Sequence, residues 1–177
     1  MNHNIGKIIL VFALLLGVVA PSWAATGGCE ESSVAIIQVF QVGIRLNQRF
    51  KKSVGESNHE EYLRLRTKTE NYTKDKLLPC MRSAAHILGR KNDPPLEKAI
   101  LRVAISFSNS ANEEIPNILG EIFGNNPDAI INTIHGLPMP ERKVAIGLLK
   151  FGWANVEKEF PHNVAVDRRK ILRQINK

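Results

Sequence analysis

The hydrophobic positions that follow the first 28 residues of this chain recur with the period of an α-helix. No segment alternates apolar and polar residues over the length of a strand, and the Asn-Gly and Asp-Gly pairs of tight hairpins do not occur. In segment 31–52 the apolar residues are spaced three and four apart and form one stripe, as in a helix with one buried side: Ile36, Val39, Phe40, Gly43, Leu46 and Phe50. The pattern predicts an all-α fold of about 6–8 helices.

A second helix is predicted after a short polar break. Asn58 with Glu61, or Ser57 with Glu60, has the spacing of a capping box, in which a side chain satisfies the free backbone N–H groups of a helix start. The stripe of this helix is thin, and its middle is polar on almost every side. We expect Pro79 to end or kink it, because proline lacks the N–H that a helix interior uses.

The remaining helices are predicted to be short, and a start signal precedes each of them. Asparagine or aspartate followed by proline, or an acidic residue in the first turn, is typical of a helix start. Such signals predict four further starts and a last basic helix, at 92–95, 112–114, 125–128, 138–141 and 161–163. We therefore expect the chain after the first two helices to be a stack of short helices.

The helix that begins near residue 138 is predicted to be the centre of this stack. Val144, Leu148 and Phe151 line one side of it, and a second apolar set lies on nearly the opposite side: Ile146, Leu149, Trp153, Val156 and Phe160. A helix that is apolar on two faces is normally buried between neighbours.

Two cysteines, Cys29 and Cys80, are separated by 51 positions and form no C-x-x-C motif. Cys29 lies 26 residues before Gly55 and Cys80 lies 25 after it. If the first two helices form an antiparallel hairpin with its turn near Gly55, arms of equal length bring the two thiols together. We predict a Cys29–Cys80 disulfide that clamps the open end of this N-terminal αα-hairpin and stabilises the fold by about 4 kcal/mol at most.

The first 24 residues have the pattern of a secretory signal. One cation, Lys7, precedes the apolar run, and the small residues Ser22 and Ala24 stand where a signal peptidase needs them. The run of about 13 residues is shorter than the roughly 20 that cross a bilayer, which disfavours a membrane anchor. We expect segment 1–24 to be cleaved, leaving segment 25–177 as a single helical domain that is periplasmic or secreted, where disulfides form.

Charge is unevenly distributed along a chain whose net charge is +7. Segment 103–141 contains no Lys or Arg and has a net charge of −5, whereas the segments on both sides are basic. Because such fields select partners, we predict that a protein partner contacts the two polar turns in this segment: Asn112, Glu113, Glu114, Asn125, Asn126 and Asp128. The plain alternative is a solvated surface with no partner.

The last helix carries a cluster of cations, Arg168, Arg169, Lys170 and Arg173. These side chains suggest weak contact with an anionic envelope surface. The sequence lacks the interleaved aromatic and basic residues that stack nucleic-acid bases, so nucleic acid is not an expected partner.

Recognisable catalytic chemistry is sparse. The histidines after the predicted signal form no pair at helical spacing, and no nucleotide-binding or nucleophile-elbow motif occurs, so we predict no metal, no cofactor and no catalytic residue. A glutamate in an apolar cleft could cut cell-wall glycans, and Glu121 is the nearest candidate. Its helical angle lies about 130° from the apolar arc of its segment, so we expect Glu121 to be solvated.

These observations favour an exported, non-enzymatic helical binding protein, most specifically an inhibitor or immunity protein against a toxin of the cell envelope. The predicted plan is similar to that of helical, single-disulfide immunity proteins of bacterial contact-dependent antagonism, a resemblance of architecture that implies this role. The alternatives are a glycan hydrolase that acts on peptidoglycan, and a periplasmic chaperone or envelope-surface-binding protein.

Overall fold

A computed structural model describes Cys29, residues 32–55 and residues 58–175; the predicted signal at 1–24 lies outside these residues. The described chain contains eight α-helices and no strand, which confirms the all-α prediction: α1 Ser33–Ser53, α2 His59–Tyr72, α3 Leu78–Leu88, α4 Pro94–Ser106, α5 Glu114–Asn125, α6 Pro127–His135, α7 Met139–Val156 and α8 His162–Gln174. None of these eight helices has both the length and the apolar character needed to cross a membrane.

Helices α1 and α2 form the predicted antiparallel hairpin. The rings of Phe50 and Tyr62 lie 5.6 Å apart near the turn, and farther along the Tyr72 hydroxyl donates to the carbonyl of Val39 at 3.0 Å. The disulfide joins Cys29 to Cys80 with 4.8 Å between their Cα atoms, as predicted. The N–H of Glu61 donates to Asn58 at 3.1 Å, so Asn58 is a cap of α2.

Pro79 does not end the helix in which it lies. A single π turn, Thr73–Leu77, connects α2 to α3, and the N–H of Leu78 donates to the carbonyl of Thr73, five residues back. A proline ring clashes with the carbonyl four residues before it in a regular α-helix. The wider π turn immediately before Pro79 accommodates this local mismatch, and the chain continues as α3.

Helix α5 is the most deeply buried element of the stack, and it contacts α3, α6, α7 and α8. Five of its apolar side chains are almost completely buried: Ile115, Ile118, Leu119, Ile122 and Phe123. Its contact with α7 is unusually close because glycines face each other, and a Cβ atom added to Gly120 would lie 2.6 Å from the carbonyl carbon of Gly152. A Cβ atom on Gly152 would in turn overlap the carbonyl oxygen of Pro116. The two backbones therefore touch, without side chains between them.

The prediction that α7 is buried between neighbours on both sides is wrong. Its inner face packs against the stack, with Leu149 fully buried and Trp153 2% exposed. On the opposite face, Val144 is 37% exposed and Phe151 is 46% exposed. The apolar pattern correctly indicates two faces, but among the described residues the neighbouring helices fully cover only one of them; on the other face, Leu148 alone is half-buried against the core.

Candidate partner-binding surfaces

The two turns predicted to contact a partner lie at opposite ends of α5. The first, 112–114, begins α5, and the second, 125–128, follows its last turn and begins α6. A helix of 12 residues separates them by about 18 Å. The structure thus presents the two turns as separate surfaces, and each has to be considered on its own.

In the first turn, two of the three predicted residues also have structural roles. The side chain of Asn112 accepts a hydrogen bond from the N–H of Glu114 at 2.9 Å, which caps the start of α5. The carboxylate of Glu114 forms an ion pair with Arg82 of α3. Glu113 is exposed. Of the three, Glu113 is the residue whose replacement disturbs the fold least.

Asn112 also lies at the edge of a cleft between the hairpin and the α4–α5 turn. This cleft has a volume of about 610 Å³, and Phe50, Leu78 and Phe107 are among its apolar lining residues. The volume falls in the range of ligand-binding clefts. The cleft brings Asn112 near the hairpin, but it includes no residue of the second turn.

In the second turn, Asn126 connects three elements. Its side chain caps α6 by accepting from the N–H of Ala129 at 3.4 Å, and it donates to the carbonyl of Leu88 and to the side chain of Asn92, both at 2.9 Å. Asn125 and Asp128 are exposed. Asn126 therefore links the start of α6 to the C-terminal end of α3 and to Asn92, which gives this asparagine a structural role whether or not a partner binds.

The basic residues of α8 are largely engaged within the protein. The guanidinium of Arg168 donates to the carbonyls of Phe123 and Gly124 at 3.0 and 3.1 Å, where it caps the C-terminal end of α5. Arg169 pairs with Glu157, and Lys170 lies 3.7 Å from Asp167. The predicted contact with an anionic surface is untested, and these interactions reduce the charge available for it.

Glu121, the residue considered for glycan hydrolysis, is half-buried instead of fully solvated. Burial raises the pKa of its carboxyl above the ordinary value, and the nearby carboxylate of Glu159 raises this pKa further, while Arg82 lowers it. Of four clefts formed by the described residues, none is lined by Glu121. Among all the residues that the structure describes, no group of His, Cys, Asp and Glu side chains is arranged to hold a metal ion.

The outward face of α7 carries an apolar stripe that we call the outer stripe: Val144, Gly147, Leu148 and Phe151. Intervals of three and four residues place them on one side of the helix. A Cβ atom added to Gly147 would meet nothing within 4 Å, so the stripe is open at its middle. Lys143 and Lys150 lie along one edge of the stripe, one heptad apart.

A basic groove lies beside the start of α7, between α1 and α4. It has a volume of about 710 Å³, and its apolar lining residues are Ile44 and Ile105. Three cations, Arg45, Lys51 and Arg102, surround it, whereas Glu141 of α7 is its one acidic lining residue. Glu141 precedes Leu148 by seven residues, which places both on the same side of α7. The basic groove and the outer stripe therefore adjoin at Glu141.

The outer stripe is a functional candidate that sequence reasoning missed. The sequence pattern indicates that Val144, Leu148 and Phe151 form an apolar face, but it predicts that this face lies in the core. The signal that could have identified it is the pair of lysines along its edge, since charged side chains are rarely found in a fully buried helix contact.

Comparison of the chain with protein-family models, curated proteins and solved structures finds no match.

Proposed function

We propose that this protein is an exported, non-enzymatic binding protein, and within that class an inhibitor or immunity protein against a toxin directed at the cell envelope. The observation that carries this proposal is the outer stripe, where a large aromatic side chain, Phe151, is 46% exposed on a rigid helix. Exposed apolar surface rimmed by polar residues marks interaction sites, and phenylalanine is enriched at protein interfaces.

The structure behind the outer stripe supports the same role. On its inner face, α7 touches α5 through Gly120 and Gly152, so the helix is held in a fixed position. Binding to a surface that is already ordered loses less conformational entropy than binding to a mobile loop. The Cys29–Cys80 disulfide is consistent with an oxidising compartment, as is the predicted signal at 1–24.

Capture followed by a protection assay tests this function. The oxidised chain from Ala25 to Lys177 is immobilised, exposed to an envelope extract of the host, and its bound proteins are identified by mass spectrometry. Each captured protein is then produced in the periplasm of a test bacterium with and without this protein. We expect one captured protein to arrest growth or lyse cells alone and to be neutralised by co-production. Capture with no change in toxicity would contradict the inhibitor role.

The glycan hydrolase remains a second candidate because of one observation, the raised pKa of Glu121 beside Glu159. A general acid needs a raised pKa to hold its proton near neutral pH. Zymography of the purified protein on peptidoglycan separates the candidates. We expect no cleared zone; a zone that disappears with Glu121→Gln would replace the binding role with catalysis.

A further inference from the structure

We propose that the outer stripe and the adjoining basic groove form a docking surface for an acidic amphipathic α-helix of a protein partner. This inference deepens the proposed function, on which it rests, because it specifies the chemistry of the partner segment. The contacting residues would be Val144, Leu148 and Phe151 of the stripe, with Lys143 and Lys150 along its edge.

The shape of the surface favours a helix as the occupant. Val144, Leu148 and Phe151 extend over about 10 Å of α7 at the rise of an α-helix. Gly147 lies between them with open space above its backbone, which lets a second helix approach closely. Helices bind apolar grooves through residues at i, i+3, i+4 and i+7, the same spacing that the stripe presents.

Charge favours an acidic partner. Lys143 and Lys150 lie along one edge of the stripe, and the groove adds Arg45, Lys51 and Arg102 against the single carboxylate of Glu141. A partner helix with glutamate or aspartate beside its apolar face would place those carboxylates opposite the cations. Complementary charge of this kind speeds association and excludes basic competitors.

A second copy of the chain fits this surface less well. In an antiparallel pair of α7 helices, equivalent edges face each other. Lys143 of one copy would then face Lys150 of the other, and like charges in an interface disfavour association.

A lipid surface also fits less well, because interfacial helices project their apolar side chains into the bilayer. Here Leu148 is half-buried, and the adjoining cations surround a concave groove instead of a protruding ridge.

The test uses two labelled synthetic peptides of about 18 residues, long enough to span α7. Both carry the same leucine stripe; one has glutamate and the other has lysine at the flanking positions. Fluorescence anisotropy measures their binding to the oxidised chain 25–177. Phe151→Asp removes the apolar anchor, and Leu63→Asp is the matched control, because Leu63 of α2 is 45% exposed and Phe151 is 46% exposed.

We expect the glutamate peptide to bind and the lysine peptide to bind at least about 10-fold more weakly. Phe151→Asp should weaken binding of the glutamate peptide by about 10-fold or more, whereas Leu63→Asp should leave it unchanged. Circular dichroism melting of both variants checks that each remains folded.

Absence of peptide binding, equal binding of both peptides, or equal loss in the two variants would overturn the inference. So would two results with the protein alone: dimers in sedimentation that Phe151→Asp dissociates, or binding to phosphatidylglycerol vesicles that the same change abolishes. The peptide assay contains neither toxin nor peptidoglycan. Its failure would therefore remove the docking surface alone, whereas failure of the protection assay would remove the proposed function.

Discussion

The two faces of α7 carry similar apolar residues but differ in burial and in how closely another helix approaches them. The inner face meets α5 so closely that Gly152 leaves no room for a methyl group, and Leu149 is fully buried. The outer face has Gly147 in open space and leaves Phe151 46% exposed. Hydrophobicity along the sequence cannot separate the two faces. The close approach of glycines identifies the face that stabilises the fold, and the lysines along the edge of the outer stripe mark the face that is open to solvent.

The largest difference between the faces should appear when alanine replaces each glycine. Gly152→Ala forces the α5 and α7 backbones apart, because the new Cβ atom overlaps the carbonyl of Pro116. We expect the free energy of unfolding to fall by about 3 kcal/mol or more. Gly147→Ala should raise it by about 0.5 to 1 kcal/mol, since alanine is the better helix former.

Urea denaturation followed by tryptophan fluorescence measures both effects, because Trp153 is the one tryptophan of chain 25–177 and is buried at this interface. Equal stability of the two glycine variants would contradict the account of the inner face.

Truncation of one side chain on each face should again destabilise the inner face more, with a smaller difference in unfolding free energy than the two glycine variants show. Leu149→Ala removes a fully buried side chain and should cost about 3 kcal/mol of unfolding free energy. Phe151→Ala removes a larger side chain, but one already in contact with water, and should cost less than about 1 kcal/mol. Thermal melting by circular dichroism provides the comparison. A greater loss in Phe151→Ala would mean that the outer face is part of the core.

Helix α8 offers the same contrast between an engaged and an exposed cation. Arg168→Met removes the hydrogen bonds to the carbonyls of Phe123 and Gly124 and should cost about 1 to 2 kcal/mol of unfolding free energy. Arg173→Met, on the same helix, should change stability by less than about 0.5 kcal/mol, because Arg173 is exposed. Chemical denaturation of both variants at one salt concentration tests this expectation. Similar losses would show that α8 contributes through its net charge and not through the cap.

The smallest expected effect is the pH dependence that Glu121 gives to the free energy of unfolding. The raised pKa lets the carboxyl of Glu121 keep its proton at a higher pH in the folded protein than in the unfolded chain. The free energy of unfolding of the wild type therefore falls as the pH rises from about 4.3, the ordinary pKa of glutamate, through the raised pKa of Glu121. Glu121→Gln removes this loss. The variant should be more stable than the wild type above that window, by less than about 1 kcal/mol because the carboxylate is half-exposed.

Unfolding measured between about pH 4 and pH 8 should show the Glu121→Gln advantage vanish at the acid end. The exposed residue Glu113 provides the control, Glu113→Gln. An advantage for Glu121→Gln that does not depend on pH would show that burial of this carboxyl is not its cause.

The helices and the disulfide could be predicted from the sequence because their determinants are local or are fixed by chain length. Helix starts at Asn58 and Asn126 follow from capping chemistry, and both caps are present. The Cys29–Cys80 bond follows from equal arms about the turn at Gly55. Each of these predictions needs only the spacing of residues along the chain.

What could not be predicted depends on which elements meet. Gly120 and Gly152 are 32 positions apart, and nothing local shows that each leaves space for the other. The turns at 112–114 and 125–128 share a polar, acidic composition, although a full helix separates them. The exposure of the outer stripe could not be predicted, because periodicity shows that a face is apolar and not whether another helix covers it.

Reversal of charge along the outer stripe tests the docking surface most directly. In the double variant Lys143→Glu/Lys150→Glu, the apolar residues remain and only the charge of the edge is inverted. Fluorescence anisotropy with the glutamate and lysine peptides should show that the wild type prefers the glutamate peptide and that the double variant loses most of this preference, while the unchanged cations of the groove still favour the glutamate peptide weakly. An unchanged preference in the double variant would contradict the assignment of the outer face of α7 as the binding surface.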